Sequence, residues 1–263
     1  MAKVILTGSR GFLGQHLLPQ LESKGHQIAA FKGNLLDYED LNYFLSDNSD
    51  SEFVIHLAGK FSGELQGLID SNCIATYNLI NAMQCNRIKN ILFSSSGAVY
   101  GEPPDNLHSQ ETDCTHPHTI YGITKKIAET VILNSSLNSI ILRFPAVYDT
   151  HMSNGVIAKF LHSIQYDKQV CIYGDGTQER NFLHVNDACD SIIHALSKKI
   201  FGIFNISNPK SISINQLVSL LAKKYDFTVK YLPKNNNLNK LLLDISKAKR
   251  DLDWQPKIVD LVL

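Results

Sequence analysis

Tyr121 and Lys125 lie four residues apart in HTIYGITKKIAE (His118–Glu129), so a helix carries both on one face. A phenol beside a fixed ammonium is an acid/base unit. The reference phenol pKa is roughly 10, and a neighbouring positive charge favours phenolate and moves it toward working pH. Upstream, NILFSSSGAVYGE (Asn90–Glu102) reads as a buried strand that delivers serines at its carboxyl end, Ser96 among them. Taken alone, such a Tyr-Lys pair is as readily a packed tyrosine and a solvated lysine. The elements that position it decide between the two.

Lys3–Thr7 is a short apolar run, followed at once by GSRGFLG (Gly8–Gly14) and then by Leu13, Leu17, Leu18 and Leu21 at helical spacing up to Gly25. In a strand–turn–helix setting, glycines let the main chain approach a pyrophosphate, and the helix N-terminus adds amide donors and a favourable dipole. Gln27–Phe31 reads as the second strand, and no acid closes it to accept the ribose hydroxyls of NAD. Lys32 stands there instead, with Arg10 inside the glycine turn. Two cations favour a 2′-phosphate, so NADP(H) is expected ahead of NAD(H), with use of either as the alternative. The chain then passes through Gly33 into NLLDYEDL (Asn34–Leu41), where a helix is expected to begin.

Phe53–Leu57 reads as a third strand ending in Ala58 and Gly59, small residues suited to close cofactor approach. A long helix is expected over Leu65–Gln84. Asn72 interrupts its apolar face, either as a buried hydrogen bonder or as a residue behind the site. Ile91–Ser94 and Ser139–Phe144 are further strands, with a helix from Tyr121 to about Leu133 between them. The alternation predicts an α/β fold, a Rossmann-type doubly wound parallel sheet with ligands at the strand carboxyl ends.

After Pro145 the elements shorten. Helices are expected near Gly155–Ile164, Ala188–Leu196 and Ile214–Tyr225, and strands at Val170–Tyr173, Ile203–Ile206 and Thr228–Tyr231. Gly174–Asp187 is turn-rich, and the Asn/Lys-rich stretch Pro233–Lys240 is the segment expected to be most mobile. The expected division is a dinucleotide-binding domain over residues 1–150 and a small C-terminal substrate-binding lobe over 151–263, partly intercalated with the sheet.

The 263 residues suffice for a full core, and 25 basic against 25 acidic residues point to neither nucleic acid nor an anionic membrane. No apolar run reaches about 18 residues, and the N-terminus enters a strand without a signal-peptide layout. The 5 cysteines are scattered without a C-x-x-C spacing, so they read as reduced thiols of a cytoplasmic protein. His116 and His118 sit in a Pro-containing loop without clustered carboxylates, and no metal site is expected.

In chain order, TGSRGFLG, GNLLD, HLAG, SSSGAVYG, YGITK, LRFPAVY, GDGTQERNFLHVND, FNISNP and DISKAKRDLDWQP resemble the motifs of the extended short-chain dehydrogenase/reductase family. This is the NAD-dependent epimerase/dehydratase type, whose members act mainly on nucleotide sugars. The resemblance implies that Ser96, Tyr121 and Lys125 are catalytic. Tyr exchanges a proton with the sugar oxygen, Lys holds the nicotinamide ribose and keeps the phenol pKa low, and Ser hydrogen-bonds the reacting oxygen. It also implies a cofactor site of Gly8, Arg10, Gly11, Phe12, Leu13, Gly14, Lys32, Asn34, Leu35, Leu57, Ala58, Gly59 and Phe144, with Tyr121 and Lys125. Asn34 falls where the family usually has an Asp beside the adenine. Arg180 matches the arginine that clamps the substrate diphosphate, a task suited to a bidentate, always-charged guanidinium. An ion pair with Glu179 or Asp175 is its alternative role, and His184 reads as structural. A homodimer through the helices Leu65–Gln84 and Gly122–Leu133 is implied as well.

The chain departs from the family at several places. Ala146 stands where many members have a substrate-contacting Asn, and Asp149 where Gly is usual. Gly97 and Ala98 occupy the places of the Asp-Glu pair of sugar 4,6-dehydratases, which argues against that reaction. The short second-strand loop resembles the deoxysugar 4-ketoreductases more than the epimerases. The function expected is therefore reduction of a nucleotide-linked 4-keto sugar. A nucleotide-sugar 4-epimerase with tightly held NAD is the alternative, and a non-catalytic cofactor-binding scaffold or sensor the second.

Overall fold

A computed structural model describes residues 2–102, 108–150, 152, 155–233 and 240–262. Its first part runs β1 (Lys3–Thr7), α1 (Phe12–Ser23), β2 (Gln27–Phe31), α2 (Tyr38–Asp47), β3 (Phe53–His56), α3 (Leu65–Ile69), α4 (Ala75–Cys85), β4 (Asn90–Ser96), α5 (Ile120–Leu133) and β5 (Asn138–Phe144). Then follow β6 (Ala146–Tyr148), α6 (Val156–Tyr166), β7 (Gln169–Tyr173), β8 (Glu179–His184), α7 (Val185–Lys198) and β9 (Gly202–Asn205). The last elements are β10 (Ser211–Ser213), α8 (Ile214–Ala222), β11 (Thr228–Leu232), β12 (Lys240–Leu241) and α9 (Ser246–Leu252).

Six strands form one parallel sheet in the order β2-β1-β3-β4-β5-β9. The fold is the Rossmann-type doubly wound sheet. Strand order reverses around β1, and ligands of such sheets lie outside the carboxyl ends at that switch point. Apolar strand residues are covered on both faces, which is why β1, β3 and β4 read as nearly continuous apolar runs. One core joins Leu17 and Leu21 of α1 to Ile192 and Leu196 of α7, and to Leu252 and Trp254. The other joins Leu41 and Leu45 of α2 to Leu79 of α4 and Ile132 of α5. The C-terminal half thus completes the sheet with β9 and shields one face with α7. Beside the sheet, β8 takes β10 antiparallel and β12 and β6 parallel, and β7 pairs β11.

Four local readings change. Asn34 does not open a helix, because its Oδ1 accepts from the Leu36 N–H and Asp37 caps α2 by accepting from Asp40 N–H. The Leu65–Gln84 helix is broken by a π turn at Asp70–Ile74. Strand β8 lies in the turn-rich stretch, where the consecutive polar residues Glu179, Arg180 and Asn181 hide its alternation. Helix α8 stops at Ala222, three residues before Tyr225. The Asn/Lys-rich segment at 234–239 is outside the described residues. Among the described residues no helix is long and apolar enough to cross a membrane.

At the end of β3, His56 is fully buried between Thr7 Oγ1 at 2.7 Å and Thr76 Oγ1 at 3.0 Å. Thr76 donates its own hydroxyl to the Asn72 carbonyl, so it accepts from Nε2–H, and Nδ1 accepts from Thr7. Burial, helped by the Lys125 charge, pushes the imidazole pKa down to about 3. In the unfolded chain it titrates near 6.5. The stability it preserves is therefore intact above that value and lost as pH falls toward the folded one, on the order of 5 kcal/mol at full titration. Thermal melts between neutral and acid pH are expected to fall across this window, and His56→Gln to flatten the slope. An equally steep slope in the variant would assign the acid sensitivity elsewhere.

Candidate active site

The glycine turn between β1 and α1 is pressed against the end of β3. Gly8 has φ +76°, and a Cβ on it would lie 2.5 Å from Ala58 N and 2.7 Å from the Leu57 carbonyl carbon. A Cβ on Gly14 would run into the Gly8 carbonyl oxygen. Gly11 donates its N–H to that same oxygen at 3.0 Å and stands at the N-cap of α1, where it has no side chain to cap the helix amides. A cradle that only glycine can line, opening on helix amides, fits a pyrophosphate, so the residues present fit a dinucleotide. Phe12 and Leu13 follow in the first turn, half-buried against the sheet core, as does Leu57.

At the adenosine end Arg10 reaches over β2 and donates to the Lys32 carbonyl at 2.6 Å, and Lys32 is exposed. The Asn34 oxygen is engaged by Leu36, and Leu35 is buried. Phe144, opposite Ser96 in the β4–β5 register, is buried, and its side chain is taken up by the core rather than by the site.

The end of β4 is gripped by α5, serine by serine. Lys125 Nζ donates to the Ser94 carbonyl at 2.7 Å, Ser95 Oγ donates to Glu129 Oε1 at 2.6 Å, and Ser96, whose Oγ accepts from the Ala98 N–H at 3.2 Å, is near enough to act on the Tyr121 phenol. Tyr121, Lys125 and Glu129 share one face of the helix by their four-residue spacing. A Cβ on Gly59 would lie 3.7 Å from Lys125 Nζ. The structure therefore joins Gly8, Ala58, Gly59, Lys125, Ser96 and Tyr121 into one continuous lining. Phe61 sets its ring edge against Tyr121 with centroids 4.9 Å apart.

The expected effect of Lys125 on the phenol is not what the geometry gives. Burial pushes Tyr121 up to about 12, with the Ser96 hydrogen bond acting against it. The ammonium donates to the Ser94 carbonyl and lies 4.5 Å from the Phe93 ring centroid. Lys125 is itself pushed down to about 8 by burial, opposed by Glu129 and Cys73. Burial therefore favours the neutral, protonated phenol.

Asn72, ambiguous in the sequence, ties the cofactor side to the catalytic helix. Its amide donates to the Lys60 carbonyl at 2.9 Å and to Thr124 Oγ1 at 2.9 Å, and its oxygen accepts from Lys60 N–H at 2.8 Å. Thr124 in turn donates to the Tyr121 carbonyl. The π turn around Asn72 is a form that often marks functional sites. A lone Asn in an apolar helical face was the one available signal.

Residues 4–207 match the model of the NAD dependent epimerase/dehydratase family. The chain belongs to this family. It is 30% identical to a provisional UDP-glucose 4-epimerase of Methanocaldococcus jannaschii, over 97% of this chain and 93% of that protein. It is 26% identical to the dTDP-4-dehydro-6-deoxyglucose reductase of Escherichia coli, over 97% of this chain and 93% of the relative. The solved UDP-glucose 4-epimerase of Thermotoga maritima with UDP-glucose superposes with a TM-score of 0.87 at 27% identity, covering 97% of this chain and 94% of that one.

Among the family motifs, the one holding Arg180 falls on β8, between Ile212 of β10 and Leu241 of β12. Burial lowers the guanidinium pKa and the Glu102 carboxylate raises it, which places the charge beside the continuation of β4. The carboxylates named as alternative partners have hydroxyl contacts of their own, Asp175 with Thr177 and Glu179 with Ser211. Gly97, at the dehydratase position, is covered by Leu243, whose methyls lie 3.1 Å from where a Cβ would be. Leu243 would have to give way for a side chain there. Gly14→Ala is expected to weaken binding of NAD(H) or NADP(H) at least about ten-fold, about 1.4 kcal/mol, with the far-ultraviolet circular dichroism unchanged. Fluorescence titration with each nucleotide checks it, and parent-like affinity would remove the pyrophosphate from this turn.

Proposed function

We propose that this epimerase/dehydratase-family enzyme acts on a nucleotide-linked sugar and reduces a 4-keto group, with Tyr121 as proton donor. The observation that carries the reading is the placement of the phenol: half-buried at the carboxyl end of β4, beside Ser96, and one helical turn from Lys125, which is fixed on the Ser94 carbonyl. A bound nicotinamide supplies the hydride. Ser96 holds the reacting oxygen beside the phenol, and Tyr121 hands its proton to that oxygen. Lys125, fixed on the Ser94 carbonyl, offers its remaining ammonium protons to the cofactor ribose. Gly8, Gly11 and Gly14 hold the pyrophosphate, and Arg180, in the C-terminal lobe, clamps the diphosphate of the substrate. Likeness to the E. coli reductase supports this reading. Likeness to the M. jannaschii and T. maritima proteins supports 4-epimerisation, which uses the same residues with no net consumption of cofactor.

NADP(H) is the cofactor favoured on Arg10 and Lys32 at the end of β2. The Asp40 carboxylate, packed over Gly33, favours the unphosphorylated ribose instead, and NAD(H) is the second reading. A reducing cytoplasm suits the free thiols. Incubation with dTDP-4-dehydro-6-deoxyglucose is expected to oxidise added NADPH faster than NADH. Conversion of UDP-glucose to its 4-epimer without loss of either nucleotide would replace the reductase by the epimerase. Tyr121→Phe is expected to lower kcat by about 10²–10⁴-fold while nucleotide binding persists. Undiminished turnover would defeat the proton-donor role, and parent and variant alike without turnover would favour a scaffold.

We also propose a homodimer. Leu65 on α3, Ile74 on the π turn, Tyr77 on α4 and Ile120, Ile123 and Ile127 on α5 are large apolar side chains left exposed. Single exposed apolar residues are ordinary, but two adjacent helices bearing such a set suit a second copy. Light scattering should give twice the chain mass for the parent and the chain mass for Ile127→Glu. A monomeric parent would discard the dimer.

A further inference from the structure

Glu129 and Arg143 form a buried ion pair one helical turn beyond Lys125. Oε1 of Glu129 accepts from Arg143 Nε at 2.9 Å and from the Ser95 hydroxyl at 2.6 Å, and Oε2 accepts from the second guanidinium nitrogen at 2.7 Å. Glu129 is 0% and Arg143 2% exposed. Such a pair is costly to desolvate, and apolar residues of equal volume often stabilise a core as well or better. Stability alone is therefore a poor reason for it.

Its surroundings supply another. Ser95 stands opposite Arg143 in the β4–β5 register, so the pair fastens the strand residue between Ser94, which anchors Lys125, and Ser96, which touches Tyr121. The guanidinium is held in place, 4.6 Å from the Tyr100 ring centroid, and the Tyr100 hydroxyl donates to Asn205 of β9 at 2.8 Å. The titratable groups around Lys125 are Glu129 and Tyr121 on its own helix, Cys73 from the π turn and His56 from β3. Tyr121 is a protonated phenol, Cys73 a thiol that burial pushes up, and His56 a neutral imidazole. The Glu129 carboxylate is the anion among them, shared between Lys125 and the Arg143 guanidinium that holds both of its oxygens.

We infer that Glu129 is a positioning residue of the reaction, fastening the end of β4 through Ser95 and facing the Lys125 ammonium with a carboxylate that Arg143 fixes in place. The inference rests on the reading of Tyr121 and Lys125 as the acid/base unit, and two measurements keep the two ideas apart. In the full chain, Glu129→Gln is expected to lower kcat about ten-fold for the dTDP-4-dehydro-6-deoxyglucose or UDP-glucose reaction, with KM within about two-fold. Burial lowers the ammonium pKa and Glu129 raises it. Without the carboxylate Lys125 loses its proton at lower pH, so the alkaline limb of the rate profile moves to lower pH by about one unit or more. A merely structural role would lower the melting temperature and leave that limb in place.

Because Gln leaves Arg143 buried without its partner, Glu129→Gln/Arg143→Met removes both charges and is expected to show a smaller movement in the same direction. The same shift is expected in the side-chain NMR titration of Lys125, with no substrate present. An unmoved limb and an unmoved Lys125 titration in either folded variant overturn the inference. If Tyr121→Phe keeps full turnover while the Lys125 titration still follows Glu129, the proton-donor reading fails and the countercharge stands.

Discussion

The hydrogen bond from Lys125 to the Ser94 carbonyl joins the two elements from which the site is made. It closes the carboxyl end of β4 onto α5 and, by aiming the ammonium at the main chain, decides what the neighbouring phenol can be. An ammonium pointed at Tyr121 would make a base of it. Bonded to Ser94, it leaves burial as the main influence on the phenol, and burial favours the protonated form. Asn72 and the Glu129–Arg143 pair brace this bond from either side, the first through Thr124 and the second through Ser95.

The other fixed point is the glycine turn. Because it rests on Leu57–Ala58, the glycine turn and helix α5 are referenced to the same strand end, with Gly59 between them. The order β2-β1-β3-β4-β5-β9 follows from the direct passage of β2 into α2. That passage leaves the adenosine end with Arg10, Lys32 and Asp40 in place of a strand-terminal acid.

Much of this was legible in the sequence, for definite physical reasons. Buried parallel strands read as apolar runs, and the helices between them as 3.6-residue periods. Ser96, Tyr121 and Lys125 carried their own spacing. What escaped depended on contacts between distant segments. The acidity of Tyr121 turns on where the Lys125 ammonium points, which the four-residue interval leaves open. Strand β8 hid behind three consecutive polar residues that find their partners in neighbouring strands. Phe144 fell at the right strand end but faces the core. The contacts of Glu129 with Arg143 and Ser95 join three separate elements, and no local pattern announces them.

The late arrival of β9 bears on how the chain is made. Strand β5 ends at Phe144, yet its outer neighbour spans Gly202–Asn205 and cannot dock until nearly sixty further residues have left the ribosome. During that interval a long apolar strand presents an open edge, the arrangement most prone to pair with another chain. Helix α7, whose apolar residues share a core with Ile140 and Leu142 of β5, precedes β9 in order of synthesis. It can cover the face of β5 before the edge is closed. Until β9 arrives, α7 shields the face of β5 while its edge stays open.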